Sequence, residues 1–408
     1  MSASKLPPPA SLAGRRPALL ATGSRRALGG FFLSGVIFSF LGAILPAWGF
    51  HLHSDYATVG LYFLFLTFGI YAGSQLCHLL VARIGLRPLL AVASGVASAG
   101  FLVLAWLSAG PQPPSLRMFA LFVIGAAGAT VNSAVFHAIA PLYHHNPAST
   151  ITLSGALFGL GCLSTALLTA GTFYFYTVPS MLILLAVIPF YFTLGFALGE
   201  PLSYTPHQFP SFQKALEDFR SPGAILFTLL LFFQFGNEWA IAGWLPLFLI
   251  QNLGLSPDTG LFVLALYWLA LLAGRFVAQA MLPALRQSRV LMGSVVAALL
   301  GCLLLSFTEK MGGAITGVIL IGGGFASIYP LTVQSIEHRF PYYHPGFFGG
   351  IFTLGLLGGL LAPGTMGFVA EQWGIGKVML LPALGSIMVC LLVLLIWLET
   401  RLTRANPE

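Results

Sequence analysis

Twelve stretches of this 408-residue chain are each long and apolar enough to cross a bilayer, and that property removes most folds. They run 28–52, 58–81, 88–110, 117–143, 150–175 and 178–199, then 223–251, 257–281, 288–308, 311–335, 345–372 and 376–399. A helix needs about 20 apolar residues to span hydrocarbon. Lipid offers peptide groups no hydrogen bonds, so only helices and closed barrels traverse it, and these runs are too long and too evenly apolar for barrel strands. Composition agrees: 57% of residues are hydrophobic and 7% charged, where a soluble domain carries about a quarter charged. The expected fold is an all-α polytopic membrane protein of twelve transmembrane helices.

Lys and Arg in the flanks set the orientation. With the N-terminus in the cytoplasm, Lys5, Arg15, Arg16, Arg25, Arg26, Arg83, Arg87, Lys214, Arg220, Arg286, Arg289, Arg339, Arg401 and Arg404 fall inside. Only Arg117, Lys310 and Lys377 fall outside. The net charge of +7 therefore reflects membrane orientation, and no nucleic-acid partner is expected. "SRRALGGFFLSG" looks like a twin-arginine signal but leads into a long run followed by eleven more, so it reads as the basic flank of the first helix. The chain divides into a basic cytoplasmic tail (1–27), a six-helix bundle (28–199), a cytoplasmic linker (200–222), a second six-helix bundle (223–400) and a short tail (401–408). A monomer in a bacterial inner or plasma membrane, with both termini cytoplasmic, is expected. Cys77, Cys162, Cys302 and Cys390 are scattered through the runs without disulfide or metal spacing, and no metal or cofactor is expected.

The two halves repeat. Slid by about 200 residues, "LGAILPAWGF" (41–50) falls on "IAGWLPLFLI" (241–250), "YAGSQLCHLL" (71–80) on "LAGRFVAQAM" (272–281), and "IGAAGAT" (124–130) on "IGGGFAS" (321–327). "HNPASTITLSG" and "YHPGFFGGIFT" open the fifth and eleventh runs alike. Such repeats mark transporter folds, with the site near the midplane where the halves meet. The basic loop "HLLVARIGLRP" (78–88) keeps Leu80, Arg83, Gly85 and Arg87 of the G-x-L-x-D-R-x-G-R-[RK] signature, with His78 and Ala82 departing from it. On these features the chain resembles the major facilitator superfamily. "FGNEWAIAGWLPLFL", "LAGRFVAQ" and "GGGFASIYPLTVQ" are similar to its fucose–galactose–glucose:proton symporter branch. The resemblance implies two six-helix bundles rocking about a central site. It also implies proton-handling acids in the first and fourth spans, and this chain has none there.

Polar side chains inside the runs therefore carry the functional reading, because they face a bundle interior or a wet cavity. Glu238 lies mid-run in the seventh and shares a helical face with Gln234, with Asn237 bordering it. Desolvation disfavours a bare charge there, so Glu238 is the candidate proton site. Candidate substrate contacts are Gln234, Asn237, Asn132, Gln334, Gln75, Tyr71 and Tyr329, with Trp239, Trp244 and Trp268 as flat apolar platforms. Candidate gating groups are Arg83, Arg87, His78, and Arg275 paired with Glu337. Each has a plainer reading: the amides as interhelical glue, Trp244 as part of an interfacial belt, Arg275 as a snorkelling side chain.

No Walker loop, G-x-S-x-G elbow or H-E-x-x-H is present, so the chain does not read as an enzyme. The expected function is secondary transport: proton-coupled uptake of a small neutral polar solute such as a sugar, with sodium as the alternative coupling ion. The rival readings are an exporter of lipophilic compounds, a facilitative uniporter and a non-transporting receptor.

Overall fold

The computed structural model describes residues 17–52, 55–145, 147–199, 202, 214, 217–340 and 350–405. Among these, twelve helices are long and apolar enough to span a bilayer. The first half comprises α1 (Pro17–Ile44), α2 (Tyr56–Ile84), α3 (Leu86–Ser108), α4 (Pro114–His145), α5 (Pro147–Thr172) and α6 (Val178–Ala197). The second comprises α7 (Pro222–Leu253), α8 (Pro257–Met281), α9 (Gln287–Phe307), α10 (Met311–Arg339), α11 (Ile351–Trp373) and α12 (Leu380–Ala405), with a 3₁₀ turn at Ile375–Lys377. The tail before residue 17, most of the expected linker and the expected start of the eleventh run lie outside the described residues.

Local sequence explains the ends. Pro114, Pro147, Pro222 and Pro257 occupy the first helical position, where a missing N–H goes unmissed. Asp55 caps α2 by accepting the Thr58 N–H at 3.2 Å. Gly254 stops α7 at φ 68°, a left-handed position that suits glycine. One boundary is corrected: the first run was expected to reach 52, but its helix ends at Ile44 and continues as turns. Pro46 has no N–H to continue the ladder, and Gly49 turns at φ 81°. Its repeat partner Pro246 stays inside α7. The Ala242 carbonyl, which Pro246 cannot bond, lies against Gly42 of α1.

The repeat is expressed in packing. α1 packs on α5 as α7 packs on α11, α2 on α4 as α8 on α10, and α3 on α6 as α9 on α12. Glycines make these crossings possible. A Cβ at Gly161 of α5 would lie 2.1 Å from the Phe32 carbonyl of α1, and one at Gly358 of α11 would lie 1.7 Å from the Phe232 carbonyl of α7. Likewise a Cβ at Gly125 of α4 would meet the Leu66 carbonyl at 2.1 Å, and one at Gly322 of α10 the Tyr267 carbonyl at 2.7 Å. In lipid, where apolar side chains gain little by meeting, such close backbone approach is what joins helices. The all-α fold of twelve spanning helices is therefore as the sequence implied.

A methyl group at Gly125 has nowhere to go, whereas Gly110 has open space around its Cβ position. Gly125→Ala is expected to destabilise the protein by about 1–3 kcal/mol through overpacking, and Gly110→Ala to leave it unchanged. Thermal unfolding in detergent checks the contrast; equal midpoints would show that the α2–α4 crossing tolerates the group.

Candidate functional site

The halves meet along three seams, α1 with α7, α2 with α11, and α5 with α8. An even number of spans puts both termini at one end of the molecule, the terminal end. The opposite, far end is closed. There Tyr56 hydrogen-bonds Gln251, whose amide donates to the His51 carbonyl at 3.0 Å, and the Tyr56 N–H donates to Glu371 at 3.2 Å. Glycines again allow the contact: a Cβ at Gly60 of α2 would lie 2.5 Å from the Gly364 carbonyl of α11. Trp244 is fully buried in this closure, near Tyr56 and Phe63, and its indole N–H donates to the Pro363 carbonyl at 2.8 Å. The hydrogen-bonded part of the α2–α11 seam reaches as far as Thr67, which donates to the Leu360 carbonyl at 3.2 Å. One turn further toward the terminal end, Tyr71 is 38% exposed.

Beside Thr67, midway along the spans, both halves line a cavity of about 40 Å³. Phe38, Thr67 and Asn132 come from the first half, and Trp239, Gly359 and Leu360 from the second. Trp239 is wedged edge-on between Phe38 and Phe158, with ring centroids 6.0 and 6.4 Å away. A Cβ at Gly359 would lie 2.8 Å from the Trp239 ring, so glycine is what admits the indole. A space of this size holds a few waters at most, so a sugar-sized solute requires the halves to part.

The neighbouring residue, Glu238, lies deep in the molecule yet keeps some accessible surface, so it faces an internal space. Gln234, one turn back and fully buried, approaches its carboxylate without a hydrogen bond of regular geometry. The Tyr267 hydroxyl donates to the Glu238 carbonyl at 3.4 Å. The charges of Glu238 and Arg275 act on each other and on Cys162, Tyr267 and Tyr329. Arg275 is nonetheless held elsewhere: it donates to the Gly155 carbonyl of α5, and Gln279, one turn on, donates to Thr152. These two bonds bridge the α5–α8 seam toward the terminal end.

Several expected contacts stand apart from this centre. Asn237 turns into its own bundle, donating to Ser386 of α12 at 3.4 Å, and a Cβ at Gly385 would sit 2.0 Å from its amide oxygen. It is about 100° round the helix from Glu238, enough to exchange one neighbour for another. Trp244 belongs to the far closure. Arg275 makes no ion pair with Glu337, because its guanidinium is taken by Gly155. Trp268 is buried beside Tyr267, ring centroids 5.0 Å apart, with its indole N–H unpartnered. Tyr329 packs on Phe235 at 5.2 Å, Gln334 is exposed, and Gln75 is half-buried on α2. Arg87 donates to the Phe196 and Ala197 carbonyls at the end of α6, Arg83 is exposed, and the His78 ring packs edge-on against His137 at 5.8 Å. The sequence reading placed Tyr267 and Gln279 in the polar inventory of the eighth run without giving them a role, and it missed Phe38 and Phe158 as parts of this region. Phe38 had a usable signal, since at an offset of 200 residues it is the repeat partner of Glu238.

Residues 27–356 match the family described as Major Facilitator Superfamily. An uncharacterized MFS-type transporter of Yersinia pestis is 22% identical over 348 residues, 84% of this chain and 87% of that protein. Among solved structures, a D-xylose–proton symporter superposes with a TM-score of 0.73 at 14% identity, covering 94% of this chain and 98% of that one. The nucleoside transporter NupG gives 0.69 at 14%, covering 91% and 99%. The fucose:proton symporter FucP of E. coli gives 0.61 at 16%, covering 92% and 99%.

If the glycine seam closes the far end, filling it should hold that end open. With the native cysteines replaced, Asn132→Cys is expected to react with an impermeant thiol reagent applied at the far face when Gly60→Trp is present, and to be protected without it. Identical labelling in both backgrounds would show that closure resides elsewhere.

Proposed function

Because the chain belongs to the major facilitator superfamily, and is thus a transporter and not an enzyme, we propose that it takes up a small neutral polar solute by alternating access, driven by protons bound at Glu238. The observation that carries this is the position of that carboxylate. It lies among groups of α5, α7, α8 and α10, while every other acid among the described residues sits outside the spans or in their first or last turns. An acid kept there is expensive unless used.

The cavity beside it suits a sugar-like solute. Trp239 offers a flat apolar surface for a C–H face, and Asn132 supplies both a donor and an acceptor for hydroxyls. Gln234 brings a further amide, buried and without a regular partner. That similarly folded proteins are named as xylose and fucose proton symporters supports the reading. With Lys and Arg concentrated at the terminal end, that end lies in the cytoplasm. Protons enter from the outer, more acidic side and leave inside, pulling the solute with them through reciprocal linkage.

The aromatic wall of Phe38, Phe158 and Trp239 favours one second reading, export of a flat lipophilic compound. Proteoliposomes distinguish them: uptake predicts accumulation of a monosaccharide from a panel when the inside is made alkaline, and export predicts displacement of a lipophilic dye.

Two variants test the assignment of residues. Glu238→Gln, a permanent mimic of the protonated acid, is expected to keep substrate counterflow and lose gradient-driven accumulation. If its accumulation matches the wild type, the proton site is elsewhere. Asn132→Ala is expected to weaken substrate binding by about 1–3 kcal/mol, the loss of a buried hydrogen bond with its partner left unsatisfied. Unchanged affinity would remove Asn132 from the site.

A further inference from the structure

Midway along the spans three aromatic rings meet across the boundary between the bundles. Trp239 comes from α7 of the second bundle, Phe38 from α1 and Phe158 from α5 of the first. The indole lies edge-on to both phenyl rings, at 6.0 and 6.4 Å between centroids, and the phenyl rings meet each other edge-on at 6.0 Å. Two of the rings sit in notches that glycines of their own bundles make. A Cβ at Gly359 of α11 would lie 2.8 Å from the Trp239 ring, and one at Gly128 of α4 would lie 2.9 Å from the Phe38 ring. Each ring thus belongs to one bundle and only its free edge meets the other. The space left beside the cluster, next to Asn132 and Thr67, is about 40 Å³.

We propose that this three-ring cluster is a built-in stand-in for the solute, which fills the site when the protein is empty and is parted when the solute enters. This rests on the reading of the cavity as the solute site. A carrier that brings its cargo in must make the return step without it, and the halves must then close on a vacant centre. A dry void there would forfeit contacts in proportion to its size. Water would need polar partners that Phe38, Ile70, Ala129 and Leu356 do not offer. Rings that meet edge to face avoid both costs, since such pairs attract one another beyond the area they bury. Once parted, the same rings present bare apolar surface for the solute to cover.

The arrangement sets a sign. The solute binds only by displacing ring contacts, so Phe38 and Phe158 oppose its binding while they promote the empty step. They are positioning residues that act through Trp239. A ring that merely shaped the site would favour both.

Two measurements in proteoliposomes test this. The first uses no solute. With the native cysteines replaced, Asn132→Cys lines the same cavity and reports how tightly the centre is closed, through its rate of reaction with N-ethylmaleimide. Phe38→Ala is expected to raise that rate about tenfold, the effect of losing two edge contacts. Phe38→Leu, which keeps bulk without a ring and is the milder change for folding, should move it the same way by less. Phe40→Ala removes a ring that packs on Phe101 inside the first bundle at 4.8 Å, and should leave the rate unchanged. The second measurement compares counterflow, in which the carrier crosses loaded both ways, with net entry, which includes the empty return. Radiolabelled D-xylose and L-fucose are the probes. In Phe38→Leu the half-saturating concentration in counterflow is expected to fall, while net entry slows several-fold. No acceleration of labelling in the Phe38 variants, or an equal acceleration in Phe40→Ala, overturns the proposal. So does a Phe38→Leu protein that binds the probe more weakly and is slowed equally in both modes. If neither sugar is taken up by the parent, the uptake reading loses its support, and the labelling contrast still decides whether the rings close the centre.

Discussion

Close approach of one helix backbone to another is the constraint on which this molecule depends. In hydrocarbon two apolar helices gain almost nothing by hiding side chains from lipid, so adhesion comes from contact where side chains are smallest. Gly125 against Leu66 and Gly161 against Phe32 knit the first bundle, and their repeat counterparts Gly322 and Gly358 knit the second. The same device at Gly60 and Gly364 shuts the far end between bundles. Within a bundle these contacts are repeated at several depths, whereas between bundles they are grouped at one end. That difference lets the halves move as bodies.

At the centre the chemistry is of another kind. Glu238 and Arg275 are opposite charges in a poorly solvated interior that do not touch, each surrounded by groups that feel both. A permanent pair would be inert, and an unpaired acid would be a liability.

How much of this was legible in the sequence depended on what each signal can encode. Apolar run length fixed the helix count, and the 200-residue repeat foretold equivalent packing, because both are properties of a strand of text. Pro46 and Pro246 show the limit: equivalent residues in the repeat, one ending a helix and the other buried within one. Helical periodicity tells which residues share a face but not which neighbour meets that face. Asn237 and Glu238, adjacent in sequence, therefore parted company, one toward α12 and one toward the centre. Trp244 has the composition of a binding platform, and only the closure of the far end shows it to be a seal. Arg275 was paired with Glu337 on charge alone, where a glycine carbonyl on another helix had the better geometry.

The bonds of α7 carry a mechanical consequence. Asn237 is fitted against Gly385 with no room to spare, and Trp244 is fastened to the Pro363 carbonyl, so the helix that bears Glu238 is bolted on two sides. A roll or slide of this helix within its bundle would have to break both. The acid is a stator. Any rearrangement that opens the far end must then carry α7 together with α11 and α12 as one body.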